Sequence, residues 1–259
     1  MEIEIIILFI FGTILGSFLN ALSFRHNTGK GMGGRSQCFS CGTMLTARDL
    51  VPVLSYVFLG GRCRTCKSEI SIQYPLVEII AGGIAILCWY STATPVQFIL
   101  SLAFFTLLLF IAIYDIRHTI IPDEYVFGAG YVALLYQTFS GSFPAVPSLD
   151  VFLAGPLLAL PLFLIWLVSK GRWMGLGDAK LMLACGLFLG LFPGIAAFML
   201  AFWIGAIVSV SFMLAQNLMH GKNQVKMNSE IPFGPYLVLG VAVSYFAHVD
   251  VLSILTFFA

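Results

Sequence analysis

The chain has 259 residues, 59% of them hydrophobic and only 10% charged, with a mean hydropathy of +0.98, against roughly 45–50% apolar and about 25% charged in soluble domains. So few charges cannot cover a water-soluble globule of this length, so the expected solvent is the bilayer. The net charge of +1, with no long Lys/Arg tract, argues against a nucleic-acid partner.

A helix needs about 20 apolar residues to cross the hydrocarbon layer. Uncharged windows run from Ile5 to Phe24, Ile79 to Tyr114, Tyr125 to Leu149, Val151 to Ser169, Leu181 to Gly221 and Ile231 to Val249. The first opens on Glu2 and Glu4 rather than a basic segment and no A-x-A site follows, so it is expected to remain a membrane helix rather than a cleaved signal. Ser91-Thr92-Ala93-Thr94-Pro95 breaks the second window and Phe192-Pro193-Gly194 the fifth, both by turn chemistry. Eight spans result, the shortest being the sixth, about Leu176 to Leu191. The expected fold is all-α and polytopic, with about eight transmembrane helices and a small zinc-binding cytoplasmic loop.

Threaded from an outside N-terminus, the spans place segments 25–73, 115–124, 170–180 and 219–230 in the cytoplasm. These segments hold all thirteen Lys and Arg. The opposite loops, around Thr92, Pro144 and Pro193, hold none. This is the positive-inside pattern without exception, and it supports both the count and the orientation. The stretch after His248 is apolar but too short to cross again.

The sizeable polar segment after the first span carries Cys38-Phe39-Ser40-Cys41 and Cys63-Arg64-Thr65-Cys66. Two C-x-x-C knuckles can wrap a tetrahedral Zn²⁺ with four thiolates, and metal binding would then supply folding free energy to a loop that buries little core. The alternative is a pair of disulfides, which a reducing cytoplasm disfavours. Arg35, Arg62, Arg64 and Lys67 would offset the charge of a four-thiolate centre. Cys88 and Cys185 fall inside spans and read as small core residues. Gly29 through Gly34 superficially suggests a nucleotide-binding loop, but no strand precedes it, and a flexible hinge is the expectation.

The twelve acids can be audited singly. Glu2, Glu4, Asp150 and Asp250 fall at outer ends, Asp49 and Glu69 in the cysteine loop, and Glu230 in the last cytoplasmic loop. Glu78, Asp115, Asp123, Glu124 and Asp178 remain near the inner ends of spans, where hydrocarbon penalises charge and function is the default reading. Asp115 closes the third span and Asp178 opens the sixth in Gly175-Leu176-Gly177-Asp178-Ala179-Lys180, at the same depth on the same face. Two carboxyls brought together there would share a proton, the arrangement of an aspartic protease. Gly175 and Gly177 would let backbone and substrate approach Asp178. Two other readings stay open: helix capping or pairing with Arg117, Lys170, Arg172 or Lys180, and proton relay in an ion-coupled transporter or scaffold.

Gly16-Ser17-Phe18-Leu19-Asn20, the paired knuckles, Pro52-Val53-Leu54-Ser55-Tyr56 and Tyr74-Pro75-Leu76-Val77-Glu78 resemble the amino-terminal part of type IV prepilin peptidases. Asp115 through Pro122-Asp123, then Gly175 through Leu181, and Pro232-Phe233-Gly234-Pro235 resemble their protease part. In this order the motifs are specific and cover nearly the whole chain. The resemblance implies a GXGD-type membrane aspartyl protease that removes the basic leader of type IV prepilins or pseudopilins at the cytoplasmic face of the inner membrane. On the residues themselves, Gly175, Gly177 and Lys180 are expected to support the site, Asp123, Glu124 or Glu78 to face the basic leader or equally to cap helix ends, and Cys38, Cys41, Cys63 and Cys66 to hold structural Zn²⁺. The resemblance implies that Asp115 and Asp178 are catalytic and that Asp123 belongs to the first motif without being the catalytic acid. It divides the chain into a first helix, 1–24, a zinc-binding loop with the four cysteines, 25–73, and a protease domain, 74–259. Many members also methylate the new amino terminus with S-adenosylmethionine. Departures fall in the part linked to that activity: Phe24-Arg25-His26 replaces Arg-Leu-Pro, Phe39 a proline and Gln73 an arginine. Presenilin-like proteases share a membrane Tyr-Asp and Gly-x-Gly-Asp but lack the cysteine loop.

Overall fold

The computed structural model describes residues 2–26, 34–140, 149–220 and 232–258. The glycine-rich stretch at 29–33, the turn around Pro144 and the loop with Glu230 lie outside these residues. The described chain contains ten α-helices, a 3-10 turn and no β-strand, and it divides into two compact units, Met1–Ala93 and Thr94–Ala259.

In the first unit, α1 (Glu2–Arg25) packs along α3 (Gln73–Tyr90). Small residues make this contact: a Cβ on Gly12 would lie 2.7 Å from Gly82 Cα, and one on Gly16 would lie 2.8 Å from Glu78 Cα. In lipid, where there is no hydrophobic drive between helices, such close backbone approach is what holds a helix pair. Between them the chain forms the 3-10 turn Ala47–Leu50 and the short helix α2 (Leu54–Phe58).

The second unit is built around α4 (Pro95–His118). Thr94 caps its start by accepting from the Gln97 N–H at 3.3 Å, so the expected break before Pro95 is a capped helix start. Phe104, Phe105, Leu108, Phe110 and Ile111 of α4 are fully buried. They pack with α5 (Asp123–Ser140), α7 (Leu176–Leu189) and α9 (Gly234–Phe246). Phe104 stacks on Phe188 at 3.9 Å between ring centroids, and Tyr136 and Tyr245 join hydroxyls at 2.9 Å. Helices α6 (Leu149–Ser169) and α8 (Leu191–His220) pack beside α7 and on one another, and α10 (Val251–Phe258) follows α9.

Helices α1, α3, α4, α6 and α8 over Leu191–Ala215 are long and apolar enough to cross a membrane; α9 is apolar but shorter. Leu153, Leu157, Leu160 and Leu164 on α6 and Ile207, Val210 and Phe212 on α8 stand exposed. Such outward apolar side chains suit hydrocarbon as the solvent. Each of the eight expected spans coincides with a helix, with shifted boundaries. The break between α7 and α8 lies at Gly190, which takes φ 80°, and Pro193 sits in the first turn of α8 rather than at the break. Proline in a first turn removes an N–H that has no intrahelical acceptor, so it does not interrupt the helix.

Candidate active site and metal centre

Among the described residues, the buried acids are Glu78, Asp115 and Asp178. Asp115 and Asp178 belong to the second unit, at 4% and 7% exposure, close enough for their charges to interact. Asp115 occupies the last turn of α4. That helix ends at Thr119, which is left-handed at φ 52° and returns its N–H to the Asp115 carbonyl at 2.8 Å. Asp178 stands in the first turn of α7, after the N-cap residue Gly175.

A third element completes the site. The Gly234 N–H, at the start of α9, donates to Asp115 Oδ2 at 3.1 Å across 119 residues. Helix starts present N–H groups without intrahelical acceptors, and α9 gives one of them to this carboxylate. Ile121 lies between the pieces. A Cβ on Gly177 would meet Ile121 Cβ at 2.8 Å, and one on Gly234 would meet Asp115 Oδ2 at 2.6 Å and Ile121 Cδ1 at 3.4 Å. Gly177 is therefore required by space, whereas at Gly234 the obstacle is the free end of the Asp115 side chain. A Cβ on Gly175 would stand 3.6 Å from Asp178 Oδ2, an ordinary contact, so space imposes no such demand there. Two carboxyls excluded from bulk water at one place can hold one proton between them and act together as base and acid.

Asp123 and Lys180 are also brought together. Lys180 Nζ lies 2.8 Å from both Asp123 oxygens, joining the first turn of α5 to the second turn of α7. Glu78 is in the first unit, where its Oε2 accepts the Val53 N–H at 2.7 Å. Sequence reasoning did not assign Gly234 or Ile121 to the site; the Pro232-Phe233-Gly234-Pro235 motif was the signal that pointed to the first.

The four loop cysteines converge. The Sγ atoms of Cys38, Cys41, Cys63 and Cys66 all lie within 4.8 Å of one another, and Cys38 and Cys66 sulfurs are 3.8 Å apart. A tetrahedral ion with Zn–S bonds near 2.3 Å separates its sulfurs by about 3.8 Å, so the donor set fits a metal of that size. The two knuckles have the same local build. Cys38 N–H donates to Thr43 and Cys63 N–H to Ser68, and Gly42 and Lys67, each following the second cysteine, take positive φ of 69° and 59°. The four loop cysteines are free thiols, and Cys88 and Cys185 are buried in helices. The Cys41 and Ser40 backbone N–H groups hold the Cys38 thiol down to about 6, and the Ser68 hydroxyl lowers Cys66. Thiolates are the metal-binding form, so the fold favours the ligand state at these two positions.

Comparison with known proteins bears on this arrangement. The model of the Bacterial Peptidase A24 N-terminal domain matches residues 10–92, and that of the Type IV leader peptidase family matches residues 102–210. A prepilin leader peptidase/N-methyltransferase of Bacillus subtilis (strain 168) is 30% identical over 244 residues, 92% of each chain. The chain belongs to the type IV leader peptidase family. Relatives with the same description in Aeromonas salmonicida (strain A449) and Legionella pneumophila are 31% identical over 207 residues and 30% over 217. They cover 79% and 82% of this chain and 68% and 72% of their own. No solved structure matches. The two family segments fall inside the two compact units, the four loop cysteines in the first and both aspartates in the second.

Proposed function

We propose that the protein is an aspartic endopeptidase of the inner membrane that cleaves the leader from type IV prepilins or pseudopilins, with Asp115 and Asp178 as its catalytic pair. The observation that carries this reading is the convergence of two buried aspartates from α4 and α7 beside the α9 start. The ionised member takes a proton from a water as that water attacks the scissile carbonyl, and the protonated member donates to the carbonyl oxygen. Lys180 and Asp123 hold the two motif-bearing helix starts together, and Gly177 lets Ile121 pack against the start of α7. A substrate with a basic leader and an apolar helix presents its scissile bond at the inner interface, where the topology expected from the sequence puts both aspartates. The bilayer is then a partner in positioning substrate.

The four thiolates hold Zn²⁺ as a structural ion, whose chemistry is to cross-link the loop. Amino-terminal methylation is the second activity in the relatives' names and would draw on S-adenosylmethionine. A cavity of about 320 Å³ in the first unit, lined by Ile14, Phe18, Arg25, Leu50 and Pro52 among others, includes no acid to face that donor's sulfonium cation. No step is therefore assigned to it.

The test is mass spectrometry of a prepilin incubated with purified protein and methyl donor, which reads cleavage position and methylation in one spectrum. Asp115→Asn and Asp178→Asn should each lower cleavage by at least about a thousandfold while the protein still inserts, the scale expected when an acid–base group is removed. Substantial cleavage by either variant would sink the assignment.

A further inference from the structure

Glu78 is the buried acid that the catalytic pair leaves unused. It lies on α3 at 6% exposure, its Cα packed on Gly16 of α1, with the Ser17 side chain at its carboxylate. Its Oε2 accepts the N–H of Val53, 25 residues earlier, at 2.7 Å. Val53 stands at φ 61°, ψ −52°, in the middle of a three-residue turn closed by the Leu54 N–H on the Pro52 carbonyl at 2.6 Å. This is the rare γ-turn of positive φ, a costly conformation for a β-branched residue. Such a residue persists only where its surroundings over-determine it.

The other end of the same segment is tied to the cysteines. Arg64, within the second knuckle, donates to Asp49 Oδ1 at 2.8 Å. Asp49, whose side chain is 8% exposed, also accepts the Thr46 N–H and hydroxyl at 3.1 and 2.6 Å. Asp49 is part of the 3-10 turn, four residues before Val53. Polar contacts thus join the knuckle to the 3-10 turn and the γ-turn to α3, and the chain from Asp49 to Val53 links the two turns.

We infer that Glu78 is a positioning residue that latches the cysteine loop onto the α1–α3 pair by accepting the Val53 N–H, and that this latch is coupled to retention of the loop metal. The coupling follows from linkage: if the ordered loop holds both the latch and the metal, each favours the other to the same extent. The coupling rests on the zinc reading above; the latch does not.

The test compares full-length wild type, Glu78→Gln and Glu78→Ala in lipid nanodiscs. Hydrogen exchange of the amides over 51–58 and the rate of zinc loss to a colorimetric chelator are measured, with the α1 and α3 amides reporting that the helices stay folded. Glutamine keeps a carbonyl acceptor at the same reach, so Glu78→Gln should stay within about threefold of wild type. Glu78→Ala should speed both exchange and metal loss roughly tenfold or more, the scale of a lost buried hydrogen bond. An alanine variant that exchanges like wild type overturns the latch. A glutamine variant as impaired as alanine overturns it too, since charge rather than acceptance would then be the requirement. Should Glu78→Ala not fold, Val53→Gly is compared with Val53→Gly carrying Glu78→Ala: faster exchange over 51–58 in the double variant than in the single supports the latch, and equal exchange in the two refutes it. Wild type that retains no metal fails the zinc reading, and the exchange arm still decides the latch.

Discussion

Gly177 and Gly234 are both crowded, but by different kinds of atom, and that difference predicts different phenotypes. The atom nearest an added Cβ at Gly177 is Ile121 Cβ, which moves only with its backbone. Gly177→Ala should therefore overpack the site at a cost of about 1–3 kcal/mol, lowering thermal stability and activity together. At Gly234 the obstacle is Asp115 Oδ2, the free end of a side chain. Gly234→Ala should be absorbed by rotation of that carboxylate, leaving the melting temperature within about 2 °C of wild type while cleavage falls roughly a hundredfold through misplacement. Melts and turnover on the two variants check this, and equal loss of stability in both would contradict it. A pH prediction belongs to Cys38. With its folded value brought down to about 6 by the Cys41 and Ser40 N–H groups, the thiolate stabilises the folded loop at alkaline pH. That stabilisation is lost as pH falls through about 6. In metal-stripped protein, iodoacetamide labelling of Cys38, followed by peptide mass spectrometry, should rise through about pH 6 and level off above it. A midpoint in the ordinary thiol range would show that the knuckle does not preorganise this ligand.

Between elements, the polar clamp at the site is the Asp123–Lys180 pair, which ties the start of α5 to the start of α7. Its members are about half and one-third exposed, so its direct worth to stability is at most about 1 kcal/mol. Its effect should appear in geometry, because Lys180 is two residues from Asp178. Asp123→Asn and Lys180→Met should each reduce cleavage several-fold with little change in melting temperature, and the exchanged pair Asp123→Lys with Lys180→Asp should recover part of that loss. Kinetics of the four proteins, wild type included, measure it; a swap no better than the single variants would leave the pair without a positioning role. The helices themselves were legible because hydropathy reports burial in lipid, and each expected span contains one. Their ends were less so. The window opening at Ile79 misses the first turns of α3, which begins at Gln73 and contains Glu78, since hydropathy discounts a helical turn that carries a polar side chain. The break after α7 depends on the backbone angle of Gly190, which no apolar window registers. The contacts of Gly234 with Asp115 and of Val53 with Glu78 were illegible for another reason. Each is a backbone N–H meeting a distant carboxylate, and any residue except proline supplies that donor.

At the scale of the molecule, scarcity of charge is what made the candidate site readable. Twelve acids in a chain of this hydropathy could be sorted by depth, and two of the three that are buried among the described residues form the proposed pair. The basic residues carry the complementary information, because all thirteen lie in four segments that alternate with uncharged turns. Lys and Arg are retained on the cytoplasmic side during insertion, and that distribution is the ground on which an outside N-terminus and a cytoplasmic cysteine loop are proposed. The same orientation is a chemical requirement of the metal reading, since four free thiols stay available as ligands in a reducing compartment and would be oxidised on the other face. Alkaline phosphatase, active only outside, tests both at once. Fused after Ala93 it should be active, and fused after Leu59 or Thr119 inactive, with the opposite pattern for a fluorescent protein that matures only inside. Moving charge supplies the stronger form: three lysines placed in Ser91–Thr94, with Arg62, Arg64 and Lys67 neutralised, should shift part of the population to the inverted pattern and lower the zinc content in proportion. Unchanged reporters in that variant would mean that something other than the basic residues sets the orientation. Active phosphatase after Leu59 in the native sequence would remove the reducing environment on which four-thiolate zinc depends.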